Sequence, residues 1–280
     1  MCSEVAQGVP NQDWAILEVA TRHLGKRQFY YRAGTSDQLV MQQIFVQRDY
    51  EISRLSRAAE LVDFYQQVLA QGHVPLIIDA GANIGASTLY LADSWPEARI
   101  IAIEPDTINM ELLCRNTDGL PNVTCIHAAL TAHTGELLLI DPGIGFWGFR
   151  ALSASQVSAD ASVREHIPGL GMEDLLRQFT GRFAPFLCKI DIEGGERDLF
   201  ADMTDWIDRF PLLVIELHDW FFPRQASSHN FLHEISLRQR DFVYIGENIF
   251  SIANQLPCHC EERSDEAIPL PPCLRTRYPS

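Results

Sequence analysis

Two short runs in the second half of the chain place acids, a lysine and a histidine where apolar strands meet their turns. In Lys189-Ile190-Asp191-Ile192-Glu193-Gly194-Gly195-Glu196 charged and apolar residues alternate. In an extended strand this puts Lys189, Asp191 and Glu193 on one side and Ile190 and Ile192 on the other. Val214-Ile215-Glu216-Leu217-His218 ends similarly, with Glu216 and His218 sharing a face. Charges inside apolar strands are costly unless paired or functional. Carboxylates and an imidazole at adjoining strand ends suit general-base chemistry: His218 takes the proton of an attacking hydroxyl, oriented by Glu216 or Asp191. The alternative is a divalent metal on Asp191, Glu216 and His218 that lowers the hydroxyl pKa. The metal-free version is favoured because all-oxygen sites usually show more acids. The structural reading is an internal Lys189–carboxylate pair and a hydrogen-bonded His218.

A second signal is Asp79-Ala80-Gly81-Ala82-Asn83-Ile84-Gly85-Ala86-Ser87, which follows an apolar strand and opens a helix. Backbone N–H groups and the positive helix end converge above such a loop. A dinucleotide fingerprint needs glycine at three positions that here hold Gly81, Asn83 and Ala86. The middle one must let the backbone approach a pyrophosphate, and Asn83 fails this. S-adenosylmethionine, which has no phosphate, fits better: Asp79 would sit near its ammonium, with Gly81 and Gly85 letting the turn pass close. The next strand ends in Glu104-Pro105-Asp106. An acid there accepts both ribose hydroxyls of an adenosine ligand, and Asp106 can cap the following helix. Ala129, after the third strand, suits packing on a flat adenine, and His127 reads as a packing histidine.

The elements that must carry these groups alternate. Strands are expected at Leu76–Ile78, Ile100–Ile103, Val123–Ile126, Leu187–Ile192 and Leu212–Leu217, with helices at Ala86–Asp93 and Thr107–Arg115. Continuous Ile, Leu and Val runs predict a mostly parallel sheet buried on both faces. Leu137–Ile140 and Trp147–Leu152 read as an inserted hairpin, and Phe242–Ile245 with Ile249–Ile252 as a closing antiparallel pair. Residues 1–74 read as a mainly helical extension that covers substrate or contacts another copy. One apolar face starts at Trp14, Ile16, Leu17 and Val19, another at Leu39, Val40, Ile44 and Phe45. A short strand is expected through Gln28–Arg32, and a helix over Ala58–Gln71. Residues 75–254 form the main domain. Residues 255–280 read as a disordered tail whose Cys258, His259, Cys260 and Cys273 match no common zinc spacing.

The bulk properties exclude several classes. The 280 residues carry a formal net charge of −15, which disfavours nucleic acid as a partner, since phosphate binding depends on Lys and Arg. No apolar stretch is long enough to span a bilayer, and Met1–Asp13 shows no secretory pattern. Of the seven cysteines, Cys2, Cys114, Cys125 and Cys188 lie singly without paired spacing, which fits reduced thiols and a cytoplasmic setting.

Together, the Asp79–Gly85 loop, Glu104-Pro105, Lys189-Ile-Asp-Ile-Glu-Gly194 and Glu216-Leu-His218 resemble the FkbM family of methyltransferases. Arg32-Ala-Gly-Thr-Ser-Asp37 is similar to stretches ahead of that family's core. The resemblance covers residues 28 to 254 and implies an α/β, Rossmann-like class I methyltransferase fold. It also implies S-adenosylmethionine as cofactor and O-methylation of sugars, glycans or polyketide natural products. Carried onto this chain, Asp79, Gly81, Ala82, Asn83, Gly85, Ser87, Glu104, Asp106 and Ala129 would serve the cofactor. Lys189, Asp191, Glu193, Glu216 and His218 would line the reaction site. The acidic balance favours a neutral sugar or small alcohol as acceptor, and a homo-oligomer is possible. The rivals are a non-catalytic scaffold of the same fold and an NAD-dependent oxidoreductase.

Overall fold

The computed structural model describes residues 14–141, 149–153, 156–157, 162–221 and 223–257. The tail cysteines and Trp147 lie outside these residues. The chain opens with β1 (Ala15–Ala20) and β2 (Lys26–Tyr31). Then come α1 (Asp37–Met41), a π-helical turn (Gln42–Gln47), a 3₁₀ turn (Ile52–Arg54) and α2 (Ala58–Ala70). The main domain continues with β3 (Val74–Ala80), α3 (Ala86–Ser94), β4 (Arg99–Glu104), α4 (Thr107–Asn116) and β5 (Val123–His127). Next are β6 (Ala129–Thr131), β7 (Gly135–Ile140), β8 (Arg150–Leu152), β9 (Val163–Gly171), α5 (Met172–Leu176) and β10 (Phe183–Ile190). α6 (Glu196–Leu199), a 3₁₀ helix (Thr204–Arg209), β11 (Leu212–Glu216), α7 (His229–Ser236), β12 (Arg240–Ile245) and β13 (Asn248–Ala253) complete it.

The principal sheet has seven strands in the order β12-β13-β11-β10-β3-β4-β5. β11, β10, β3, β4 and β5 run parallel, and β13 enters antiparallel between β11 and β12. This is the doubly wound arrangement expected from the unbroken apolar runs. Leu76, Ile78, Ile101, Ile103, Cys188 and Ile190 pack on one face with Leu175, Leu199 and Phe231 of α5, α6 and α7. Ile77, Ile100, Leu187 and Val214 pack on the other with Leu61 and Phe64 of α2 and Leu89 of α3. Full burial of each such side chain contributes about 1.5–3 kcal/mol. β3 and β10 are neighbours although far apart in sequence, so the crevice at their carboxyl ends is the topological switch point where such sheets bind ligands.

Two elements depart from the sequence reading. The apolar face from Ile16 to Val19 belongs to a strand, β1, and not to a helix; it pairs along its length with β2, as in Leu17↔Phe29. The hairpin is held to α4 by a reciprocal clasp in which Asn116 accepts from Tyr30 N–H and donates to Tyr30 C=O, at 2.7 and 2.9 Å. The inserted hairpin, β7–β8, forms with Leu138 opposite Leu152 but is part of a larger four-stranded sheet, β6-β9-β7-β8. β9 carries Arg164, Glu165, His166, Pro168 and Gly169, which hide its extended character.

The loop after β3 and the turn after β10 touch backbone to backbone. Gly81 has φ +74°, and a Cβ there would stand 1.7 Å from the carbonyl oxygen of Asp191. Gly85, at φ +89°, lies against Leu113 of α4 at 2.9 Å. The glycines therefore serve packing between elements, and Gly81 also borders the cavities described below. Gly81→Ala should destabilise the protein by about 2–4 kcal/mol through left-handed strain plus overlap. Gly119→Ala, at φ +74° with nothing within 4 Å, should cost only about 1 kcal/mol. Chemical denaturation of the two variants measures the difference.

Candidate functional site

The floor of the crevice is an ion cluster. Lys189, only 2% exposed, stands on β10 opposite Asp79 of β3. Its Nζ lies 3.3 Å from Asp79 Oδ1 and 3.5 Å from Asp191 Oδ2, and it donates to Gly81 C=O at 2.6 Å. Burial alone would lower the ammonium's pKa, but the surrounding charges, Asp79 and Asp191 among them, hold it above its ordinary value. Asp79 also accepts from Ser87 Oγ at 2.8 Å and Thr88 Oγ1 at 2.6 Å, tying β3 to the first turn of α3. It is fully buried beneath the loop. Its side chain therefore braces the loop. Lys189 likewise supports the site from below.

One cavity of about 310 Å³ opens beside the loop, walled by Asn83, Glu104, Ala129, Leu130, Phe149 and Ile192 among others. The second sheet supplies its apolar side. Glu104 accepts from Asn83 N–H at 2.8 Å, Asp106 N–H at 3.0 Å and Asn109 Nδ2 at 3.2 Å. Burial, followed by the nearby Asp106 charge, pushes its carboxyl up to about 7. Asp106 itself does not reach this cavity: it caps α4, accepting from Ile108 and Asn109 N–H, and pairs with Arg164 of β9 at 2.8 Å. Behind Asn109 stands a buried pair absent from the site reading. Arg32 donates through Nη2 and Nε to Asp37 at 2.7 and 2.9 Å and through Nη2 to Asn109 at 2.8 Å. The Arg32-to-Asp37 run is thus wired to Glu104.

A second cavity of about 270 Å³ lies on the other side of the loop. Leu39, Tyr50, Ser87, Glu216, Trp220 and Glu247 are in its wall, as is Ala82. Gly81, Asn83, Asp191 and Glu193 border both cavities. Tyr50 and Trp220 escaped the sequence reading because an isolated aromatic carries no spacing signal. Burial pushes the Tyr50 phenol up, so it meets the cavity as a neutral hydroxyl.

At the border, the 1%-exposed His218 meets four carboxylates. Nδ1 is 3.0 Å from Glu196 Oε1, and Nε2 is 3.4 Å from Glu193 Oε2, 3.5 Å from Asp191 Oδ1 and 3.8 Å from Glu216 Oε1. Burial would lower the imidazole, yet the Glu196 hydrogen bond and the charges of Glu196, Glu193 and Asp191 outweigh it and raise His218 to about 10. Burial and the Asp191 charge push Glu193 up to about 9 and Glu216 to about 8. The expected residues Asp191, Glu193, Glu216 and His218 do converge.

The pattern described as "Methyltransferase FkbM domain" matches residues 79–244. The methyltransferase sdnD of Sordaria araneosa is 30% identical over 114 residues, 40% of this chain and 38% of that protein. The hexuronic acid methyltransferase AglP of Haloferax volcanii is 23% identical over 151 residues, 53% of this chain and 58% of that one. The matches thus span 38% and 58% of these relatives' lengths. Among solved structures, M. capricolum TrmK in complex with S-adenosylhomocysteine aligns with a TM-score of 0.35 at 13% identity, covering 71% of each chain.

The raised Glu104 carboxyl gives a stability signature. Its contribution is complete below its ordinary value of 4.5 and is lost as pH rises through about 7. Glu104→Gln should therefore gain on the wild type by on the order of 3 kcal/mol between pH 4.5 and 8, read by denaturation across pH. Asp37→Ala, leaving Arg32 buried without its carboxylate, should cost about 3 kcal/mol or more in the same assay.

Proposed function

As the chain belongs to the FkbM methyltransferase family, we propose that it transfers a methyl group from S-adenosylmethionine to a hydroxyl of a neutral sugar, glycan or natural product. The observation that carries this reading is the pair of cavities meeting at Gly81, Asn83, Asp191 and Glu193. One side has a buried acid beside an apolar wall, which fits the hydroxylated and flat halves of an adenosine. Glu104 would accept the ribose hydroxyls, and Ala129, Leu130 and Phe149 would flank the base. Asn83 N–H is already committed to Glu104, which leaves it unavailable to the pyrophosphate of a dinucleotide.

The other side would take the acceptor. Trp220, 63% exposed, offers an indole face at its rim, and Asp49, Asp191, Glu193, Glu216 and Glu247 offer hydroxyl acceptors. The formal net charge of −15 favours neutral over anionic acceptors by charge repulsion. Several residues between Ser36 and Tyr50 of the N-terminal extension line this wall, which supports a role for the extension as substrate cover.

When bound, the cofactor supplies a methyl on a positively charged sulfur, which leaves as a neutral thioether when an oxygen lone pair takes the methyl. The chain's task is to place that oxygen and remove its proton. Asp191 is suited to accept the proton: it borders both cavities, and Lys189 and His218 hold its two oxygens. Positioning and exclusion of water supply most of the rate, and the base adds about 10²–10⁴-fold.

Calorimetric titration tests the cofactor. S-adenosylmethionine should bind in the micromolar range, Glu104→Ala should weaken it at least about tenfold, and NAD should not bind; NAD binding alone would overturn the reading. Asp191→Asn should keep cofactor affinity and lower methylation of a hydroxylated acceptor by about 10²-fold or more, followed by mass spectrometry.

A further inference from the structure

We propose that Asp191, Glu193 and His218 form a divalent-cation site facing the acceptor cavity, suited to a manganese-type ion. One ligand atom from each of these residues lies within 4.8 Å of the other two. The separations from His218 Nε2, 3.4 Å to Glu193 Oε2 and 3.5 Å to Asp191 Oδ1, exceed a hydrogen bond. They fit atoms that share one metal: two ligands at about 2.1 Å stand about 3.0–3.4 Å apart for octahedral to tetrahedral angles.

A further observation points to a ligand and not merely to crowded acids. Glu193 Oε2 is buried and accepts no hydrogen bond among the described residues, which is costly in a low-dielectric setting and is resolved by a cation between it and His218 Nε2. The His218 side chain is 1% exposed, with Nε2 facing the three carboxylates at 3.4 to 3.8 Å. Glu196, fully buried, holds Nδ1 at 3.0 Å and also accepts from Ile192 N–H at 3.3 Å. Carboxylate support on the distal nitrogen is the usual partner of a metal-binding histidine, because it turns Nε2 toward the ion.

The donor set selects the ion. Two carboxylates favour hard cations and an imidazole favours later transition metals, so Mn²⁺ accommodates both. Sequence alone put Glu216 in this set; the geometry exchanges it for Glu193 and leaves Glu216 at 3.8 Å from Nε2. Asp191 and Glu193 line the second cavity, so remaining coordination positions open toward the acceptor. There the ion would hold a hydroxyl oxygen and ease its deprotonation, a role that rests on the methyl-transfer reading, whereas binding of the ion does not.

The full-length chain, freed of metal by chelator, is titrated with Mn²⁺ alone, with free ion followed by electron paramagnetic resonance and heat by calorimetry. One Mn²⁺ per chain is expected. Glu193→Gln and Asp191→Asn should weaken it at least about tenfold, and Glu196→Gln by about 10–100-fold, with circular dichroism confirming that each variant is folded. Absence of stoichiometric binding, or binding indifferent to Glu193→Gln and Asp191→Asn, overturns the site. S-adenosylmethionine is titrated into the same metal-free sample: cofactor binding without Mn²⁺ binding removes the metal and leaves methyl transfer standing, whereas Mn²⁺ binding without cofactor binding does the reverse.

Discussion

Everything at the crevice depends on one buried cation. Lys189 stands in an otherwise apolar strand and is compensated from three directions: Asp79 across the sheet, Asp191 along its own chain and the carbonyls of the glycine loop. Buried ions tolerate little displacement, because a lost partner leaves an uncompensated charge. The cluster therefore holds the loop after β3 and the turn after β10 in fixed relation. The contact between Gly81 and the Asp191 carbonyl is the steric side of the same constraint. A ligand at the seam meets a preorganised surface, which is what lowers the cost of reaching a transition state.

Preorganisation explains how one loop serves two cavities. Asp79 draws Ser87 and Thr88 downward, so the loop's side chains brace it from beneath. What remains at the surface is Gly81, Asn83 and the acids of the next turn, bordering both spaces. The spacing of the two cavities is thus set by the sheet. The crowding of acids around His218 is the other consequence: a sheet that gathers strand ends gathers their charges too.

The parts of this arrangement that were legible in the sequence are those written in consecutive residues. β3, β4, β10 and β11 announce themselves as unbroken apolar runs, and the acids that end them sit where an α/β sheet presents ligands. β1 was misread because Ile16 and Val19 satisfy helical spacing as well as strand composition, and only pairing with β2 decides between them. β9 was hidden by its charges and Pro168. Contacts between distant positions were illegible for a different reason. That His218 meets Glu196, or that Arg32 reaches Asn109, depends on three-dimensional proximity and leaves no local pattern.

The chain of contacts from Arg32 and Asp37 through Asn109 to Glu104 has an implication for how such proteins diversify. The segment just after this pair helps to wall the cavity proposed for the acceptor, so it is the natural place to vary what is recognised. Yet its anchor ends on the acid of the cavity proposed for the cofactor. An exchange of N-terminal segments between relatives must therefore carry a compatible residue at position 109, or the graft that brings a new specificity also disturbs the donor site. Recognition of one reactant and retention of the other are inherited together.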